Sequence, residues 1–298
     1  MAVDATLASA RAPGRFASFW YAFRENRGAV AGLAVVTIIV LTAIFAGLIA
    51  PHDPLEQFRG FSKMPPFWLD GADSRFFLGT DAVGRDMLSR IMYGARVSLF
   101  IGIAVMAVSM VSGIALGLAS AWFGGIIDVI ILRVMDLIMS IPSLVLAILI
   151  IAVIGPNLTN TIVAVTIVGL PFYVRLMRAS ALTELTKDYV TASKVAGVRR
   201  WRLMTVTVLP NCLAPLIVQA ALGVSDAILS AAGLGFLGLG AQPPVPEWGS
   251  MLADTRDLMS SHPWVMAFPG IAILITVLSI NLMGDGLRDA LDPRLRRS

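Results

Sequence analysis

Long uncharged runs alternate with short charged segments along this chain. Residues 29–50 are 22 positions without Asp, Glu, Lys or Arg. At about 1.5 Å of rise each they reach roughly 33 Å, enough for a hydrocarbon layer of about 30 Å, so the run predicts a first membrane-spanning helix. It exceeds the core of a secretory signal, about 7–15 residues, and ends in Ala50-Pro51-His52-Asp53 rather than a small-x-small cleavage site. Residues 97–122 predict a second span, in which Gly113 and Gly117 have the GxxxG spacing that lets helices approach closely. Residues 137–174 are 38 uncharged positions, about 57 Å as one helix, so they predict two spans in a hairpin broken at Gly155-Pro156-Asn157. Residues 212–242 carry one charge, Asp226, and end in a glycine-rich stretch that loosens this fifth span. Residues 263–284 are the sixth, with Gly284 and Gly286 closing it.

The basic residues give these spans a direction. Sixteen of the 23 Lys and Arg fall on one side: the N-terminus, Arg133, the segment after the fourth span and the tail. The other seven are Arg59, Lys63, Arg75, Arg85, Arg90, Arg96 and Arg256. By the positive-inside rule both termini are cytoplasmic. The chain then reads as a cytoplasmic segment 1–28, a first transmembrane helix 29–50, an extracytoplasmic loop 51–96, a five-helix core 97–284 with a cytoplasmic loop 175–211, and a cytoplasmic tail 285–298. The fold class is all-α, a polytopic inner-membrane protein with six transmembrane helices.

Composition agrees. The 298 residues are 57% hydrophobic and 14% charged, against about 45–50% and 25% in soluble domains. A core of this chain length cannot hide that apolar surface, so lipid is the solvent. The net charge of +4 is spread between apolar runs, which argues against a nucleic-acid face. With Cys212 as its single cysteine, the chain has no internal disulfide and no Cys/His metal cluster. Lys63, Lys187 and Lys194 follow Ser62, Thr186 and Ser193, so no Gly-Lys-Ser/Thr phosphate loop exists. His52 and His262 lie in predicted outer loops, which removes the intramembrane serine-hydrolase chemistry that needs a buried base.

The most informative segment is residues 188–211, too ordered for a linker. Ala192, Val195 and Ala196 recur at helical spacing, Gly197 suits a left-handed helix cap, and Trp201 restarts an amphipathic stretch that Pro210 stops. This helix-turn-helix is either a membrane-surface pair whose cations meet anionic headgroups or a docking knob for a soluble partner. It resembles the EAA motif of bacterial ABC-importer permeases, in which EAA is followed after three residues by glycine and ends in Leu-Pro. Thr191, Ala192 and Ser193 occupy the triplet, Gly197 the glycine, and Leu209-Pro210 the ending; Thr191 and Ser193 depart from Glu and Ala, and Thr207 stands where Ile is usual.

Three further stretches, 78–99, 235–249 and 281–293, together with 19–30, resemble the dipeptide, oligopeptide and nickel branch of that family. The likeness implies the type I ABC importer fold and a permease subunit that imports dipeptides or short peptides, with nickel, glutathione or another small solute as the alternative cargo. It implies a second permease subunit completing the pore, two ATP-binding subunits that use ATP and Mg, and an extracytoplasmic solute-binding protein. This chain would have no catalytic site and bind no cofactor of its own. Tyr189, Thr191, Ala192, Ser193, Ala196, Gly197, Trp201, Leu209 and Pro210 would couple it to the ATPases.

Two charge patterns have their own readings. Asp81, Arg85, Asp86 and Arg90 pair as Asp81–Arg85 and Asp86–Arg90 if helical, making an outer collar or a contact for the binding protein. Asp226, the lone intramembrane ionisable residue of the predicted spans, faces a bundle interior or cavity. There it contacts a peptide amino group or bonds to the second permease chain.

Overall fold

The computed structural model describes residues 15–291, so the basic positions of the extreme N-terminus and of the tail beyond Leu291 lie outside the described residues. The elements are α1 (Arg15–Glu25), α2 (Arg27–Ile49), α3 (Met87–Phe123), α4 (Gly125–Met139), α5 (Ser143–Ile154), α6 (Leu158–Leu185), α7 (Asp188–Val195), α8 (Arg200–Arg202), a π-helical turn (Leu203–Val208), α9 (Leu209–Phe236), α10 (Trp248–Asp254) and α11 (Pro263–Leu291). Strand-like pairing among the described residues is one isolated β-bridge, Thr80 with Asp86. An all-helical solution satisfies every peptide group within its own segment, which lipid demands.

Helix starts follow their caps. Asn26, Asp86 and Asn157 accept the backbone N–H of Ala29, Ser89 and Asn160, opening α2, α3 and α6. α3 is the central post, packed on α6 and α9, while α11 packs on α2 and α9. Glycines set these distances. A Cβ on Gly113 would stand 2.3 Å from Tyr173 Cβ, and one on Gly117 2.7 Å from Met177 Cβ. The GxxxG face therefore seats α3 directly on α6. Outward, Leu48 and Val153 are 82% and 86% exposed, an apolar surface that water does not tolerate over many neighbours.

Five helices are long and apolar enough to cross a membrane, and a sixth span exists if α4 and α5 count as one segment. That pair bends by 94°, which corrects the third predicted span. The 12 residues of α5 cover about 18 Å, short of a hydrocarbon layer. Pro142 breaks the run, because its ring cannot continue the helix and it disfavours α geometry at Ile141. The break at Gly155 (φ +90°) occurs as predicted.

Other boundaries differ as well, and α3 begins at Met87, ten residues inside the predicted loop 51–96. α6 runs on to Leu185, so Arg175 and Arg178 belong to a helix and not to a loop beginning at 175. Pro210 does not stop the chain: α8, the π turn and α9 form one continuous stretch from Arg200 to Phe236. The π turn makes this tolerable, since Leu209 N–H already reaches back to Met204 C=O at i−5, and a ladder in that register absorbs the missing proline donor. Gly284 and Gly286 do not end α11, which continues to Leu291. A Cβ on Gly286 would lie 2.1 Å from Ala29 Cβ, so this glycine lets α11 touch α2.

Candidate functional site

α7 is a short helix held against the bundle by the buried Val190 side chain and by a hydrogen bond from Tyr189 to α6. Val190 is fully buried among Met177, Ala181, Leu203 and Cys212. Glu184, on the last turn of α6, accepts from Lys187 Nζ (2.5 Å) and from the Tyr189 hydroxyl. Burial, then the Glu184 carboxylate, pushes the Tyr189 phenol up to about 12, so it remains a donor. Ser193 Oγ donates to Tyr189 C=O (2.8 Å).

The end of α7 is built by Gly197, whose φ is +75°. Gly197 N–H donates to Lys194 C=O (3.0 Å) and Val198 N–H to Ser193 C=O (3.2 Å). These two bonds are a Schellman cap, the left-handed ending that glycine adopts without Cβ strain. Beyond it the chain reverses into α8. Thr191, Ala192, Ala196, Gly197, Trp201 and Pro210 are exposed, Ser193 and Leu209 half-buried. The predicted residues from 189 to 197 thus share one protruding element, with Val195 85% exposed at its tip. Leu209 and Pro210 lie beyond the π turn, at the start of α9.

Sequence reasoning missed Glu184 and Val190. The spacing of Glu184 to Tyr189, five residues across a helix end, is no helical pairing and carried no signal. It missed equally the pairing of Arg178 with Asp128 (2.6 and 2.7 Å), which ties α6 to α4 from 50 residues away.

Asp226 stands on α9 at a cavity of about 280 Å³ between α3, α5, α6 and α9, whose polar lining includes Ser109, Ser143, Tyr173, Gln219 and Ser230. The Tyr173 hydroxyl donates to Gln219 C=O (3.4 Å) over Gly223, where a Cβ would come within 2.0 Å of it. Asp226 itself is exposed and has no hydrogen bond or ion pair among the described residues.

The outer charge pattern is a buried knot and not an exposed collar. Asp81 accepts from Arg85 Nε (2.6 Å) and from the backbone of Val83 and Arg85, but in a turn ahead of α3. Arg90 lies 3.5 Å from Asp81, not on Asp86, and donates to Pro54 C=O (3.4 Å). Asp86 instead caps α3. All four side chains are buried, so they hold the loop onto the bundle and are not available to a docked protein. Beside them Glu247 caps α10 through Gly249 N–H and Ser250 N–H (both 2.8 Å), its acidity weakened by burial.

The chain matches the family of binding-protein-dependent transport system inner membrane components over residues 113–297, and the N-terminal TM domain of oligopeptide transport permease C over residues 14–66. It belongs to the first of these families and is a multi-pass inner-membrane transport component. It is 54% identical to the di/tripeptide transport system permease protein DppC of Pseudomonas aeruginosa, over 96% of this chain and 94% of that one. It is 56% identical to the dipeptide transport system permease protein DppC of Escherichia coli K12, over 94% and 93%, and 50% identical to that of Haemophilus influenzae, over 94% and 95%. A chain of the MetNI methionine ABC transporter, solved in inward-facing conformations, shares the fold with a TM-score of 0.56, 21% identity, and coverage of 69% of this chain and 98% of that one.

Proposed function

We propose that this chain is one permease half of an ATP-driven importer of dipeptides or short peptides. The observation that carries this is the likeness, at 50–56% identity along nearly the whole chain, to permeases named for dipeptide transport. A second permease subunit completes the pore, two ATP-binding subunits supply hydrolysis with Mg, and an extracytoplasmic binding protein delivers the peptide. No covalent step occurs in this chain, and it binds no cofactor or metal. Both termini and α7 face the cytoplasm, in keeping with the sixteen-to-seven distribution of cations.

In this reading α7 seats in the ATPase pair. Its small exposed side chains, Thr191, Ala192 and Ala196, permit close contact, and the continuous stretch from α8 into α9 carries movement toward the cavity. Closure of the ATPases shifts α7, and the helices rock to alternate access. Asp226, at that cavity, bonds to the second permease chain or meets the peptide ammonium group. Uptake of labelled dipeptide into proteoliposomes holding the full set of subunits tests the cargo. Competition by unlabelled dipeptides supports peptide import; competition by nickel or glutathione alone assigns the machine to that solute. Reporter fusions test the orientation, and an exported signal after Ser298 would overturn it.

A further inference from the structure

Two grooves meet beside α7 at the end of α3. One, about 500 Å³, is apolar, walled by Leu118, Trp122 and Phe123 from α3 and by Trp201 and Met204 from the other side. Its neighbour, about 520 Å³, is lined by Lys194, Val198 and Arg200. Trp122 and Arg200 line both, so the two form one amphipathic trough.

The basic residues around the trough divide into paired and unpaired ones. Arg178, Arg175 and Lys187 on the adjoining elements have carboxylate partners. Lys194, Arg199, Arg200 and Arg202 have none among the described residues, and all are exposed. Two of these unpaired cations, Lys194 and Arg200, line the trough, with Phe123 (65% exposed) and Trp201 (64% exposed) along its apolar part, the arrangement of a membrane–water boundary. The aromatic end matches an acyl chain and the cationic end a phosphate. The basic excess has the sign that an anionic leaflet attracts.

We infer that this trough binds an anionic phospholipid of the cytoplasmic leaflet, its phosphate on Lys194 and Arg200 and an acyl chain between Trp122 and Trp201. The outer face of α7, at Thr191 and Ala192, stays free for the ATPase contact, so lipid flanks the coupling element and does not replace it. A lipid so placed supports α7 beside the anchors that Val190 and the Tyr189–Glu184 bond already give it. The inference uses the cytoplasmic placement proposed above. Fusions test that placement, and the measurement below tests the trough.

The full importer, with its ATPase subunits, is placed in nanodiscs containing either phosphatidylglycerol or phosphatidylcholine with brominated acyl chains, and tryptophan quenching is followed. Quenching is expected at lower mole fraction of phosphatidylglycerol, and Lys194→Ala with Arg200→Ala should erase that preference, by about fivefold per cation removed. Trp122→Phe with Trp201→Phe should remove the lipid-specific quenching, which places it in the trough. Co-purification of the ATPase subunits shows that each variant is assembled. Equal quenching by the two lipids in the unaltered complex overturns the inference, as does a preference that survives Lys194→Ala with Arg200→Ala. A preference that appears only after the ATPases are stripped away also overturns it, because the trough would then be an ATPase contact.

Discussion

The Tyr189 hydroxyl donates to the Glu184 carboxylate across the turn between α6 and α7. With Lys187 on the other carboxylate oxygen, this fixes the angle at which the protruding helix leaves the bundle. Val190 supplies depth, Glu184 orientation. A coupling element needs both, because a helix that can swivel at its base absorbs the movement it should pass on.

Tyr189→Phe removes the hydroxyl and leaves its ring. A hydrogen bond to a charged group contributes about 1.5 kcal/mol at the lower end of its range, the part that suits a half-exposed pair. We expect normal membrane insertion and ATPase association, with fewer peptides moved per ATP. Unchanged stoichiometry in proteoliposomes would dismiss the bond from coupling.

The same bond sets a pH expectation. The folded-state pKa of Tyr189 is raised to about 12 by burial and by Glu184, above the ordinary value of 10.0. Its contribution is therefore fully present below about pH 10 and is lost only as pH rises through about 12. Coupling through Tyr189 should be flat from pH 6 to 9, and a Tyr189-dependent loss within that window would contradict the assignment.

Gly197 and Gly113 should fail differently. Around Gly197 no atom lies within 4 Å of an added Cβ, so Gly197→Val costs only left-handed strain, about 1–3 kcal/mol, confined to the α7 cap. The folded permease should persist while coupled uptake is lost. Gly113→Val drives its side chain into Tyr173 and costs about 1–3 kcal/mol of overpacking between α3 and α6. Reduced permease abundance and melting temperature should report that. Equal abundance of the two variants would refute the distinction.

Ala192→Trp tests the exposed face. Ala192 has no burial to disturb, so thermal stability of the permease should stay within about 0.5 kcal/mol of the unaltered protein. Pull-down of the ATPases should weaken. Full association and uptake would mean that this face meets no partner.

Asp226→Asn removes the charge at the cavity and keeps the shape. If the carboxylate meets a peptide ammonium, uptake should fall about tenfold or more at unchanged complex abundance, the scale of one charge-assisted bond. Near-wild-type uptake would take Asp226 off the pathway and leave it a bond to the second permease chain.

By itself the sequence determined the membrane class, because lipid imposes a one-dimensional rule: uncharged runs of about 20 residues must become helices. It also determined the turn at Gly197 and the close approach at Gly113 and Gly117, each a local demand that glycine answers. Tertiary structure decided what depends on groups distant along the chain. Pro142 rather than Pro210 interrupts the helical path, because a π turn can absorb one proline and a tight Ser140–Ile141 turn cannot absorb the other. Gly286 serves α2 instead of ending α11, and Arg90 chose Asp81 over its neighbour Asp86 once the latter was taken up as a helix cap. Glu184, Asp128 and the trough at Trp122 came into view only when packing brought their partners within reach, for spacing along a chain says nothing of which buried charge will stand opposite which.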